Sequence, residues 1–150
     1  MSDGALLVMH HDAYDPELIR NILSSTKVIG LVGASANPAR PSYGVMEFLL
    51  QRGFEVVPVN PGLAGQELQG QKVYASLRDV PKVIDMVDVF RSSDAVPALV
   101  DEILALPYLP KTLWLQLGVF HLEAAQKAEA KGVQVVMNRC PVIEMHRLNM

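Results

Sequence analysis

The sequence predicts an α/β fold, in which a doubly wound parallel sheet of five strands carries helices on both faces. Short apolar segments with strand character alternate with segments of helical periodicity along the whole chain. Strands that alternate with helices form a parallel sheet with both faces covered, joined by right-handed crossovers. The ends of the predicted strands are polar, glycine-containing or cationic, whereas the strands themselves are apolar. With the strands numbered along the chain, we expect the order 3-2-1-4-5.

The N-terminal half begins with a predicted helix that runs from Asp15 to about residue 23. Asp15 can cap it, Pro16 suits the first helical position, and Glu17 favours the helix dipole. The next elements are strand one at 28–32, a helix at 42–52 that ends at a glycine, and strand two at 54–59. Strand two contains Pro58, which either weakens this assignment or lies where its missing N–H is tolerated.

The C-terminal half continues the alternation of strands and helices. A mostly irregular crossover is predicted over 63–81, with one helical turn at 76–79. The elements beyond it are strand three at 84–90, a helix at 94–106, strand four at 112–117, a helix at 121–131, strand five at 133–137 and a short helix after residue 141.

Length and composition predict one globular domain over residues 1–150, with residues 1–12 as a loose N-terminal tail. Hydrophobic residues make up 50% of the chain and charged residues 19%, enough for a sizeable core. A net charge of −3 without a basic run argues against a nucleic-acid surface.

A cytoplasmic location is the expectation from three features of the chain. The single Cys140 excludes an intramolecular disulfide and suits a reducing compartment. Residues 1–12 lack the charged start and long apolar stretch of a signal peptide. The least polar long window, 103–120, contains two prolines and a lysine, so it does not predict a membrane span.

The segment after strand one, Gly30-x-x-Gly33-x-Ser35, is the most informative motif. Small residues there let the backbone approach a phosphate, and the N-terminus of the next helix offers free N–H groups. Two prolines delay that helix and leave a loop with one cation, Arg40. An ordinary strand-to-helix connection is the alternative, because the spacing is not the three-glycine dinucleotide fingerprint.

Ligands of such sheets bind beyond the carboxyl ends of the strands, beside strand one. The segments to inspect are therefore 33–35, 60–61, 90–93, 117–119 and 138–140. Asn60 stands where an NAD site usually has a carboxylate, so NAD and NADP are both disfavoured, while Pro61 offers a flat face to an adenine ring. Arg91 either contacts a phosphate or forms a surface ion pair.

The sequence predicts no catalytic residue and no metal ligand. Asp85 and Asp88 are three residues apart in a strand, so they point to opposite faces and do not form a carboxylate pair. The four histidines lack a metal-binding arrangement, and no nucleophile elbow is present. Cys140 is either a thiolate activated by Arg139 and a helix start or, as is more common, a buried inert cysteine.

Six motifs in order give the chain a resemblance to a known family. They are Val-Gly-Ala-Ser-x-Asn-Pro-x-Arg-Pro-Ser-Tyr at 32–43, Pro58-Val59-Asn60-Pro61, Tyr74-x-Ser76-Leu77, Val87-Asp88-Val89-Phe90-Arg91, Trp114-Leu115-Gln116-Leu117-Gly118 and Val136-Met137-x-Arg139-Cys140. Over about residues 15–148, the chain resembles the small bacterial CoA-binding proteins. That family is similar to the CoA-binding domain of the succinyl-CoA synthetase alpha subunit.

The resemblance implies a Rossmann-like, nucleotide-binding domain whose ligand is coenzyme A or an acyl-CoA. The implied binding residues are Gly33, Ala34, Ser35, Arg40 and Ser42 around the pyrophosphate, Val59, Asn60 and Pro61 around the adenosine, Phe90 and Arg91 along the next edge, and Leu117 and Gly118 along the pantetheine. The synthetase carries its phosphorylated histidine in a second domain, so the resemblance implies binding without ligase chemistry. Gly62 stands where many relatives have Lys, which leaves open the residue for the ribose 3′-phosphate.

Four functions follow from these observations. The first hypothesis is a stand-alone binding module for CoA or an acyl-CoA. The alternatives are a transferase that acts on an acyl-CoA or a nucleotide and uses Cys140 or His121, an NAD(P)-binding protein, and a regulatory protein whose partner reads its CoA state. No protein partner can be identified from the sequence, and self-association into a homo-oligomer is left open.

Overall fold

The computed structural model describes residues 11–150 and has the α/β architecture that the alternation of elements predicts. The five parallel strands of its main sheet are β1 (Val28–Val32), β2 (Glu55–Val59), β5 (Met86–Val89), β6 (Thr112–Leu115) and β7 (Gln134–Val136). A separate antiparallel hairpin consists of β3 (Glu67–Leu68) and β4 (Gln71–Lys72).

Helices enclose the sheet on both sides. The described helices are α1 (Pro16–Ser25), α2 (Pro41–Gln51), α3 (Val96–Leu104), α4 (Leu122–Ala130) and α5 (Pro141–Arg147), with 3-10 turns at Pro61–Leu63, Leu77–Asp79 and Ser93–Ala95. Buried side chains of α1, α2 and α5 pack on one face of the sheet, and those of α3 and α4 pack on the other. The doubly wound class predicted from the sequence is therefore confirmed.

Local signals in the sequence set several of the helix ends. The N–H of Glu17 donates to Asp15 Oδ1 at 2.8 Å, so Asp15 caps α1 as predicted. Pro41 occupies the first turn of α2, where its missing N–H costs nothing. The same helix ends before Gly53, whose φ of +91° is a left-handed conformation that glycine adopts without strain.

The order of the strands corrects one prediction. The sheet runs β2-β1-β5-β6-β7, which is 2-1-3-4-5 in the numbering of the predicted strands, not 3-2-1-4-5. The predicted third strand, β5, lies between β1 and β6, with Asp88 in register with Leu31 and Trp114. All residues of β5 are buried, as expected for a central strand covered on both faces.

The chain that follows β2 gives the physical reason for this order. Val59 bridges to Tyr74, the N–H of Tyr74 donates to Pro58 O at 3.1 Å, and the N–H of Asn60 donates to Tyr74 O at 2.9 Å. This segment occupies the outer edge of β2, so a further strand cannot pair there. Pro58 thus lies in a terminal strand of the main sheet, where its missing N–H is tolerated.

Of the predicted loose tail at 1–12, residues 1–10 lie outside the described residues. His11 is buried, with 4% of its surface exposed. Its imidazole Nε2 lies 2.6 Å from Glu129 Oε1, and its Nδ1 lies 2.6 Å from the Tyr14 hydroxyl. The chain is therefore already attached to the domain at His11.

Candidate functional site

The candidate site lies where the winding of the chain reverses, between the carboxyl ends of β1 and β5. From β1 the chain passes to β2 on one side, and β5 pairs with β1 on the other. Ligands of open α/β sheets bind at this switch point. The corrected strand order therefore places the site between 33–35 and 90–93, two of the segments singled out in the sequence.

Two cavities open at the switch point, on opposite sides of the sheet edge. The α3-side cavity has a volume of about 630 Å³, and residues of β2, α3 and the loop at 75–77 line it. The α2-side cavity has a volume of about 590 Å³ and lies beside the start of α2 and the loop after β6. Gly33, Asn60 and Arg91 line both cavities, so the two cavities meet at these three residues.

The structure brings the predicted binding residues together, with the exception of Gly118. The α2-side cavity contains Gly33, Ala34, Ser35, Arg40, Ser42, Asn60, Phe90, Arg91 and Leu117, and the α3-side cavity contains Gly33, Val59, Asn60, Pro61 and Arg91. Gly118 lines neither cavity, and its N–H donates to Asn138 Oδ1 at 2.8 Å, which joins the loops after β6 and β7. The binding roles of these residues stay predictions.

Packing within the protein is sufficient to require a glycine at position 33. Gly33 has a φ of +89°, and a Cβ there would lie 2.4 Å from the carbonyl oxygen of Phe90. The N–H groups of Gly33 and Ala34 donate to Val59 O at 3.0 and 3.3 Å. These first two amides of the turn hold β1 against the end of β2, as the ordinary strand-to-helix connection would have them do.

Asn60 fixes the junction between the two cavities. Its Nδ2 donates to Ala34 O at 2.7 Å, and its Oδ1 accepts from the N–H of Gly62 at 2.8 Å. The amide therefore ties the turn after β1 to the end of β2. Asn60 stands where an NAD site usually has a carboxylate.

Positive charge is available around the α2-side cavity. Arg40 and Arg91 are exposed, and within residues 11–150 neither forms an ion pair with a carboxylate. Among the described residues, no side chain caps the N-terminus of α2, and Ser42 in its first turn lines the cavity. The positive end of the helix dipole favours an anion at this position.

Arg139, the arginine beside Cys140, contacts the chain near residues 12–14. Its guanidinium donates to Asn138 O at 2.8 Å and to Asp12 O at 3.1 Å, and it lies 4.9 Å from the centroid of the Tyr14 ring. Arg139 thus tethers the chain around residues 12–14 to the loop after β7. Cys140 itself is buried and lines the α2-side cavity.

The sequence did not identify α3 or Gln116 as part of the lining of the two cavities. Glu102 lines the α3-side cavity, and its Oε1 accepts from the N–H of Leu77 at 3.0 Å. Nothing local in the sequence identifies Glu102, because only packing brings α3 beside the loop. Gln116 lines the α2-side cavity and did carry a signal, since it is a polar residue at the end of an apolar strand.

Asp88 lies beneath the site in an unusual environment. It is fully buried, and neither carboxylate oxygen has a hydrogen-bond partner in the part of the chain that the structure describes. Burial raises the pKa of this carboxyl well above its ordinary value. Asp85 lies just before β5, not within it as predicted, and accepts from the N–H groups of Lys27 and Val28 at 3.0 and 2.9 Å.

His121, another candidate group from the sequence, lies at the start of α4. His121 Nδ1 accepts from the N–H of Ala124 at 3.1 Å and caps α4. Across residues 11–150, no three His, Cys, Asp or Glu side chains come together as metal ligands would. No helix in the same range is long and apolar enough to cross a membrane.

Comparison with known proteins identifies the family. Residues 27–146 match the family described as CoA binding domain, and the chain belongs to this family. It is 36% identical over 122 residues to the uncharacterized protein YneT of Bacillus subtilis, covering 81% of this chain and 87% of that one. A hypothetical protein from Pyrococcus horikoshii OT3 has the same fold, with a TM-score of 0.85 and 37% identity over 93% of this chain and 95% of that one.

A larger enzyme contains a homologous segment. The chain is 32% identical over 84 residues to the alpha subunit of acetate–CoA ligase [ADP-forming] I from Pyrococcus furiosus. The match covers 53% of this chain but only 18% of the ligase subunit.

Proposed function

We propose that the protein binds coenzyme A or an acyl-CoA as a stand-alone module, without ligase chemistry. The observation that carries the proposal is the pair of cavities that meet at the switch point, with Arg91 at their junction. Each cavity has the size of a typical small-molecule pocket, roughly 300–1,000 Å³. Two such cavities that meet in this way suit an elongated ligand with a charged centre.

The chemistry of the lining residues matches the parts of CoA. In the proposal, the α3-side cavity takes the adenosine, because Val59, Pro61 and Leu99 give it apolar walls. The pyrophosphate lies at the junction and near the start of α2, where Arg40 and Arg91 supply positive charge. The pantetheine continues along the α2-side cavity.

The relatives support the binding of CoA by this chain more directly than they support any reaction of it. The family description names CoA, and the matched ligase subunit acts with it. Since the match covers only 18% of that subunit, we extend the binding to this chain and leave the ligase reaction out. We place the protein in the cytoplasm, because the free thiol of Cys140 suits a reducing compartment.

Titration calorimetry with CoA, dephospho-CoA, NAD and ATP tests the proposal. CoA should bind most tightly of the four. Dephospho-CoA should lose less than about fivefold, because Arg91 is the one cation among the described residues that line the α3-side cavity, and an exposed charge pair contributes at most about 1 kcal/mol. Clear NAD binding without CoA binding would overturn the proposal.

A further inference from the structure

The side chain of Gln116 is buried at the wall of the α2-side cavity. Only 6% of the residue is exposed, and Oε1 has no partner in the part of the chain that the structure describes. Leaving a buried amide oxygen unpaired destabilises a folded protein. Such a cost in a folded protein calls for a partner outside it.

The backbone holds Gln116 in a fixed orientation. Its N–H donates to Val89 O at 3.2 Å, which continues the pairing of β6 with β5, and its carbonyl accepts from the N–H of Val119 at 2.9 Å. Side chains alternate along a strand, so Gln116 lies on the same face as Trp114. On this face Gln116 lines the cavity, while Trp114 lies fully buried below it.

We propose that Gln116 recognises a secondary amide of the pantetheine arm, an inference that rests on the proposed function. A primary amide carries one acceptor and two donors, and a secondary amide offers the complementary donor and acceptor. Oε1 accepts from the amide N–H of the ligand, and Nε2 donates to its carbonyl. A thioester carbonyl would leave Oε1 unpaired, so the amide is the group that fits.

The substitution Gln116→Leu separates ligand recognition from folding. It removes a buried amide with an unpaired oxygen and replaces it with an apolar side chain of similar size, so the melting temperature without ligand should stay the same or rise. Affinity for CoA should fall about tenfold, the worth of one or two lost hydrogen bonds. Affinity for adenosine 3′,5′-bisphosphate, the nucleotide half of CoA, should not change.

Two further variants complete the experiment. Gln134→Leu makes the same chemical change at an exposed position of β7 that lines neither cavity, and it should leave both affinities unaltered. Gln116→Glu keeps the size of the side chain and an acceptor for the ligand N–H but loses the donor pair, so it should weaken CoA binding less than Gln116→Leu does. This variant also provides the answer if Gln116→Leu does not fold.

Several outcomes would overturn the inference. They are an unchanged CoA affinity in both Gln116 variants, an equal loss for CoA and the bisphosphate, or a loss confined to acetyl-CoA, which would indicate the thioester instead. A parent protein that binds the bisphosphate as tightly as CoA would remove this inference but leave nucleotide binding in place. A parent that binds neither would remove the proposed function together with it.

Discussion

Arg40 and Arg91 are the cations that the site offers to a phosphate. If each contacts one, Arg40→Ala and Arg91→Ala should each weaken CoA binding by up to about 1 kcal/mol, because both side chains are exposed and water screens the charge pair. Both arginines are exposed, so the parent's affinity should also fall with added salt. Calorimetry at low and high ionic strength measures both effects.

Arg52 provides the control for these two substitutions. It lies just beyond the far end of α2, stacks 4.7 Å from the centroid of the Phe48 ring, and lines neither cavity. Arg52→Ala should leave CoA affinity as in the parent. Parent-like binding by both Arg40→Ala and Arg91→Ala would show that the phosphates lie elsewhere.

Gly33 should be sensitive to the addition of a single methyl group. Gly33→Ala forces a left-handed backbone on an alanine, which costs about 1–2 kcal/mol, and also brings Cβ against the carbonyl oxygen of Phe90. The matched variant Gly53→Ala has a similar φ of +91°, but its Cβ meets no atom of residues 11–150 within 4 Å. Urea unfolding should therefore show a larger loss at Gly33, and equal losses would contradict the clash.

Among the helices, α1 depends on its cap and on one apolar face. Ile19, Ile22 and Leu23 are buried against the sheet, and Asp15 satisfies the N–H of Glu17. Asp15→Ala should lower the free energy of unfolding by about 1 kcal/mol, the usual cost of a lost N-cap. Asp94→Ala serves as the comparison, since Asp94 is exposed and should change stability little. A loss at Asp94 as large as that at Asp15 would argue against capping.

Elements were predictable where their determinants are local. Asp15, Pro41 and Gly53 mark helix ends within a few residues, so the helices could be read from the sequence. The position of β5 was not readable, because it depends on the hydrogen bonds that Tyr74 makes along β2. Pairing between segments far apart in the chain leaves no periodic mark in either one.

The residues of the candidate site also fall into those that local sequence identified and those that it did not. Gly33, Asn60 and Arg91 follow strands directly, so the rule that ligands bind at strand ends identified them. Glu102 lies within α3 and reaches the α3-side cavity only because that helix packs beside the loop at 75–77. Its contribution depends on tertiary structure alone.

The free energy of unfolding of the whole molecule should depend on pH because of Asp88. The pKa of this carboxyl is raised in the folded protein, so the folded state holds its proton at pH values where the unfolded chain has released it. The free energy of unfolding should therefore decrease as the pH rises above about 4, the ordinary pKa of an aspartate. The decrease continues until the folded-state pKa is reached.

Asp88→Asn removes this titration while keeping the size of the side chain. The difference in melting temperature, variant minus parent, should increase between pH 4 and pH 8, because only the parent loses stability as this group is forced to ionise. Thermal unfolding followed by circular dichroism measures the difference. Asp94→Asn, at an exposed position, should show no such trend, and a difference for Asp88→Asn that stays constant with pH would contradict the account.

The burial of Trp114 gives the protein an internal optical reporter. Trp114 is the single tryptophan of the sequence, it is fully buried, and its indole N–H donates to Arg139 O at 2.9 Å. Its fluorescence therefore comes from one site, on the face of the sheet that carries Gln116. Unfolding should shift the emission to longer wavelength, and a ligand that enters the α2-side cavity should change its intensity without any attached label.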